Sequence, residues 1–211
     1  GMLFFSVGER GRMKEAQDPQ NHLGTVIRLQ ENGKVPQDNP FLKNRKGRAE
    51  IFSYGHRNPQ GMALHPKTGK IWVHEHGPQG GDEINILKAG ANFGWPKTTF
   101  GEQYGGGKIG IGPKSPGIEE PLLHWTPSIA PSGMDFYQGD IFPNWKGDLL
   151  VGSLKFRMLV RVDLEGSLVQ GQEVVFQDRI GRVRDVRVSP EGKVYLLNDE
   201  YRGGIFRLDP L

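Results

Sequence analysis

The densest run of side chains able to do chemistry is His74-Glu75-His76-Gly77-Pro78-Gln79-Gly80-Gly81-Asp82-Glu83. On a strand, His74 and His76 share one face and could chelate zinc, but no convincing third ligand stands nearby. The turn from Gly77 to Gly81, followed by Asp82 and Glu83, better suits a hard cation such as calcium, which takes carboxylates and backbone carbonyls. The same spacing also describes a tight turn with a solvated acidic end, and both readings stand. A second constellation, Tyr54-Gly55-His56-Arg57-Asn58-Pro59-Gln60-Gly61, leads into an inner strand and sets Arg57 and Asn58 at its mouth. Arg182 and Arg184 flank Val183, so on a strand they point the same way. Lys155 follows another strand at the same level of its own repeat. Singly each is a surface charge; converging on one mouth, these cations invite a multiply anionic ligand.

Other signatures fail. Gly105-Gly106-Gly107-Lys108-Ile109-Gly110 formally spells a dinucleotide fingerprint but lacks a strand before it and a helix after it. No Gly-x-Ser-x-Gly occurs, and no Ser/His/Asp set stands out among 6 scattered histidines. With Cys 0, disulfides, thiolate catalysis and cysteine metal sites are excluded, and the redox compartment stays open. The net charge of +3 gathers in Arg10–Lys14 and Lys43–Arg48. Neither stretch interleaves aromatics or follows a helical stripe, so both read as solvated loops, and no nucleic-acid partner is expected. No apolar run approaches the ~20 residues of a membrane helix, and the opening residues are expected to form a strand, not a signal peptide.

The elements that must hold these residues are strands. Hydrophobic residues at 36% and charged residues at 24% describe a globular chain, and Gly 31 with Pro 15 implies many turns. One hairpin recurs four times. Its first strands are Leu3–Val7, Lys70–Val73, Asp148–Val151 and Lys193–Leu197. Its second strands are Thr25–Leu29, Glu83–Leu87, Leu159–Asp163 and Gly204–Leu208, where apolar and polar residues alternate. Further strands precede three of these hairpins at Gly61–Leu64, Gly133–Tyr137 and Val183–Val188, and an outer strand is expected at Glu173–Phe176. Long loops are expected around residues 30–56 and 96–124, and no helix competes. Meandering four-stranded units are the signature of propeller blades. The chain is therefore expected to be all-β, a partial β-propeller of about three to four blades of four-stranded antiparallel sheets, fewer than closed propellers need. It is expected to begin inside a blade and to end without an outer strand.

At these same residues the sequence resembles the soluble, pyrroloquinoline quinone (PQQ)-dependent aldose sugar dehydrogenases of the glucose/sorbosone type. The resemblance runs through residues 1–211 as the C-terminal part of one propeller domain. It rests on Ser6-Val7-Gly8-Glu9-Arg10, His22-Leu23-Gly24, Tyr54 through Gly61, His74 through Asn85, Asn92-Phe93-Gly94-Trp95-Pro96, Trp125 through Gly133 and Arg182 through Arg187. It implies a six-bladed propeller with PQQ across the channel mouth. Arg57 and Asn58 would contact the quinone end and Tyr104 a ring side. Ser153, Leu154 and Lys155, with Arg182, Val183 and Arg184, would cradle the carboxylates. Gly77 and Pro78 would lend carbonyls to the cofactor's calcium, Glu83 and the Phe93 carbonyl would hold a second, structural calcium, and Trp125 and Ser128 would line the sugar pocket. The resemblance further implies an aldose substrate, hydride transfer to the cofactor, and a periplasmic or secreted location. It places the general-base histidine upstream of residue 1, so no catalytic residue is expected in this chain, which reads as truncated and inactive alone. The alternative is a non-catalytic binding or interaction module. Open propeller edges would favour a homodimer in either case.

Overall fold

The computed structural model describes residues 1–210; Leu211, the terminus after the last expected strand, lies outside the described residues. Apart from single-turn 3-10 segments at Met13–Gln17 and Pro143–Trp145, the described residues form strands and turns. The first sheet joins β1 (Met2–Val7), β2 (Thr25–Gln30) and β3 (Ile51–Tyr54) in that order. The second joins β4 (Pro59–Leu64), β5 (Ile71–Glu75), β6 (Asp82–Ile86) and β7 (Leu123–Trp125), again in sequence order. The third runs β11 (Leu168–Gln177), β10 (Met158–Glu165), β9 (Leu149–Ser153), β8 (Pro131–Phe136), and the fourth β12 (Val183–Val188), β13 (Val194–Asn198), β14 (Ile205–Leu208). Each sheet is a meander of chain neighbours, the form of a propeller blade. No helix among the described residues is long and apolar enough to cross a membrane.

The four expected hairpins are β1–β2, β5–β6, β9–β10 and β13–β14, and the outer strand near Glu173 is the longer β11. One expectation needs correction: β3 and the start of β7 fall inside segments expected to be loops. Among the described residues the first and last sheets have three strands each and the other two have four. Ile51-Phe52-Ser53-Tyr54 is short and stands beside the basic loop, so its alternation is weak on its own. It becomes a strand by pairing with β2, where Val26 faces Ser53 and Ile27 faces Ile51.

The chain forms two compact units. The first comprises Gly1–Pro59 and Glu75–Pro127, and the second Gln60–His74 and the chain from Ser128 onward. In the first, Ile27, Phe41 and Ile51 pack with Val7, Leu29 and Tyr54, and Ala16, Trp95 and Ile109 form a second cluster. In the second, Leu150, Leu159, Val183, Val186 and Leu196 pack around Tyr137.

One ion cluster ties the third sheet together. Arg161 on β10 lies 3.3 Å from buried Asp148 and 3.0 Å from Glu173, its guanidinium 5.8 Å from the Trp145 ring centre. Burial pushes the Asp148 carboxyl up, opposed by the Leu164 amide and by Arg161. Arg161→Met keeps the stem but strips Asp148 of its cation. The expected loss is about 3 kcal/mol, read by urea denaturation. A loss below about 1 kcal/mol, the range of surface pairs, would refute the assignment.

Candidate functional site

In the first unit the site is built on the turn after β3. Gly55 adopts φ 78°, and a Cβ there would lie 2.2 Å from Asn92 Oδ1 and 2.7 Å from the Gly94 amide, so only glycine fits the turn against its neighbouring loop. That loop is held in return: Gln17 Nε2 donates to Asn92 Oδ1 and to the Trp95 carbonyl, and the Trp95 amide donates to Gly55. His56, fully buried, stacks on Phe93 at 4.6 Å. Its Nε2 lies 2.9 Å from Ser53 Oγ and its Nδ1 2.9 Å from Glu75 Oε1. The other Glu75 oxygen accepts the Arg57 amide. The Arg57 guanidinium donates to the carbonyls of His76 and Gly77 at 2.9 and 3.0 Å and lies 5.3 Å from the Trp95 ring centre.

The expected cation turn is held by close backbone contact. A Cβ on Gly77 would lie 2.1 Å from the Gly80 carbonyl oxygen, and Gly80 and Gly81 both adopt positive φ, 82° and 73°. The Gly77 amide donates to Asp82 Oδ1 at 2.9 Å. Beside the turn lies a narrow cavity whose wall includes Arg57, Glu75, Gly77, Glu83 and Phe93, with room for about one water. Gly77, Glu83 and Phe93, expected as separate metal contacts, thus meet at one cavity, and Pro78 is buried beside them. Among the described residues no three His, Asp or Glu side chains group as a metal site, so a cation here would depend on backbone carbonyls. Burial pushes the Glu83 carboxyl up to about 8, the negative charge of Glu75 adding to it, while a hydrogen bond from Asn85 pulls the other way and Asp82 adds a smaller push.

In the second unit Ser153 is buried and donates to the Ile129 carbonyl at 2.5 Å, and Val183 is buried with its carbonyl accepting from Ser132 Oγ at 2.7 Å. Both therefore shape the backbone. Leu154 is half-buried, and its amide donates to the Ala130 carbonyl at 3.0 Å. Lys155 is exposed, its ammonium 5.2 Å from the Phe156 ring centre and without an acidic partner among the described residues. Arg182 and Arg184 are exposed on either side of buried Val183. A register shift between Val183 and Asp185 leaves Arg184 unpaired in the ladder, and Val183 and Val186, three apart, are both buried. Arg182 pairs with Asp199 at 3.0 Å, whereas Arg184 reaches only Gln60, at 3.5 Å.

Three expected contacts differ in exposure. Tyr104 is 73% exposed, Trp125 is buried in β7, and half-buried Ser128 accepts the Ala130 amide at 3.2 Å. The connected set Ser53, His56 and Glu75 escaped sequence reasoning. Its signal was the Ser-x-x-His spacing across the end of β3, with the carboxylate far along the chain on β5.

In metal-free protein Glu83 carries a testable pH signature. Its folded pKa of about 8 lies above the unfolded value of 4.5, so between these limits the folded state binds more protons and stability falls as pH rises. Glu83→Gln is expected to flatten that decline between pH 5 and 8 in chelator-treated protein, read by urea denaturation. An unchanged slope would refute the shift.

A family model described as glucose/sorbosone dehydrogenase matches residues 1–207. The aldose sugar dehydrogenase YliI of Escherichia coli (strain K12) is 44% identical over 212 residues, which cover 100% of this chain and 57% of that protein. A crystal structure of glucose dehydrogenase aligns with a TM-score of 0.97 at 45% identity, covering 100% of this chain and 62% of that one. The PQQ-bound aldose sugar dehydrogenase of Streptomyces coelicolor aligns with a TM-score of 0.78 at 27% identity, covering 99% of this chain and 58% of that one. This chain thus spans less than two thirds of the length of each relative. Its meandering sheets are β-propeller blades, and the chain belongs to the glucose/sorbosone dehydrogenase family.

Proposed function

We propose that this chain carries the cofactor-holding residues of a PQQ- and calcium-dependent dehydrogenase that oxidises the anomeric hydroxyl of aldoses. The observation that carries the reading is the Arg57 guanidinium bound to the carbonyls of His76 and Gly77, in a turn that only glycine can form. The residues present fit both groups. For calcium, the cavity wall offers the carboxylates of Glu75 and Glu83, the hydroxyls of Thr98 and Thr99 and backbone carbonyls beside Arg57, and Glu83, crowded by burial and by Glu75, would exchange its proton for a cation. For PQQ, Lys155 and Arg184 offer exposed positive charge without a carboxylate partner among the described residues, suited to a polycarboxylate.

When bound, PQQ would supply the two-electron acceptor for the hydride leaving the sugar. The chain's own residues hold and orient. Arg57 presents a guanidinium braced on Trp95, with Asn58 beside it; Lys155 and Arg184 neutralise carboxylates, with Arg182 sharing its charge with Asp199. Ser153, Leu154 and Val183 fix the backbone beneath those cations. Gly77 and Pro78 serve the cofactor's calcium, and Glu83 with the Phe93 carbonyl a structural one. Exposed Tyr104 is free to stack on a planar ligand, and Trp125 and Ser128 border the sugar. Buried His56 is bonded through both ring nitrogens, to Ser53 and Glu75, and is closed to substrate.

Calorimetric titration with PQQ in calcium tests the reading. Binding is expected, weakened about tenfold by Arg184→Ala; no binding in calcium would overturn it. Glucose oxidation by the reconstituted chain is expected to run at least ~100-fold below an intact relative, the lower range of a general base's contribution. Parity would show that the base lies within this chain.

A further inference from the structure

Ser53, His56 and Glu75 have the order of a hydrolytic triad and none of its access. Ser53 and His56 are 0% exposed and Glu75 is 4% exposed, so no substrate carbonyl reaches the hydroxyl. The chain of contacts instead ends on Arg57. One Glu75 oxygen is 2.9 Å from His56 Nδ1 and the other accepts the Arg57 amide, which sets the imidazole as an Nδ1–H donor with Nε2 left to accept from Ser53. The Arg57 carbonyl is held from the opposite side, accepting the Glu9 amide at 2.9 Å. The backbone of Arg57 is thus fixed through both its amide and its carbonyl. Beyond it, the buried Nε has no hydrogen-bond partner among the described residues, while the same guanidinium lies over Trp95 and reaches two carbonyls. A side chain that leaves a buried donor unpaired keeps its pose only if its root cannot shift.

We propose that Ser53, His56 and Glu75 form a buried positioning chain that fixes Arg57 and so aims its guanidinium. The guanidinium's role as a cofactor contact rests on the reading above; its placement by this chain does not. Glu75→Gln is the sharpest probe, because a carboxamide offers one acceptor oxygen where two N–H donors converge, so one of them loses its bond.

Two measurements test the proposal on the full chain. In the first, nuclear magnetic resonance follows the Arg57 Nε–H without any cofactor. In the wild type it should exchange slowly and be shifted upfield by the Trp95 ring. Glu75→Gln should abolish both features, and Ser53→Ala, which removes only a hydroxyl and guards against a Glu75 variant that does not fold, should weaken them. An unchanged signal in the folded variants overturns the proposal. In the second, PQQ affinity is measured in a double-mutant cycle. Glu75→Gln should cost about tenfold in the wild type, the loss of one charge-assisted hydrogen bond, and less than about twofold once Arg57 is Met, since a residue acting through Arg57 has nothing left to act on. Equal losses in both backgrounds would show a merely structural role and overturn the proposal. A wild type that fails to bind PQQ refutes the functional reading alone, and the resonance measurement still decides the positioning chain.

Discussion

A carboxylate buried among apolar rings must have each oxygen occupied, or it costs several kcal/mol. Glu75 meets that demand with two donors from one short turn, the ring of His56 and the amide of Arg57. Because the two donors are adjacent in the chain, satisfying the carboxylate fixes the turn after β3. Much else in the first unit follows from that turn. Gly55 must be glycine to pass Asn92 and Gly94, Phe93 must be flat against His56, and Trp95 must lie under the guanidinium. The loop through Asn92–Trp95 is braced by Gln17 from the 3-10 segment. Segments distant in sequence are thereby held to one another through hydrogen bonds that no single segment could satisfy alone.

The second unit solves a related problem with backbone irregularity. β8 and β12 are both interrupted, between Pro131 and Met134 and between Val183 and Asp185. At these interruptions a Cβ on Gly133 would fall 1.9 Å from Asp185 Oδ1, and Ser132 Oγ donates to the Val183 carbonyl. The two strands therefore touch at a depth that leaves no space for a side chain. The consequence for charge is direct. The bulge leaves Arg184 out of the ladder, near Gln60, while Arg182 pairs with Asp199. The two arginines thus differ in their surroundings, one paired with a carboxylate and the other with a neutral amide.

Sequence reasoning reached the strands wherever periodicity and turn residues agreed, as in Lys193–Leu197 and Gly204–Leu208. It missed Ile51–Tyr54, four residues whose strand character comes from β2 rather than from themselves. The site divides in the same way. Arg57, Gly77 and Glu83 stood out because their motifs are local, Phe93 came only from the family resemblance, and the structure sets all four around one cavity. Arg182 and Arg184 are exposed on either side of buried Val183, and the bulge that follows has no sequence signal beyond the close contacts that cause it. Ser53 and Glu75 stayed hidden for a different reason. Each is an unremarkable strand residue until the fold brings them to opposite edges of one imidazole.

The electrostatics of the first unit then acquire a direction. Glu75 spends both oxygens on its own fold beside Glu83, whose carboxyl is pushed up to about 8 by burial and by the charge of Glu75. Without a cation the pair settles by holding a proton on Glu83. Across the same cavity wall Arg57 Nη1 donates to the His76 and Gly77 carbonyls, while the Arg57 amide donates to Glu75. The guanidinium therefore braces the turn instead of neutralising Glu83, whose carboxyl is left to burial and to the charge of Glu75, both of which favour its protonated form.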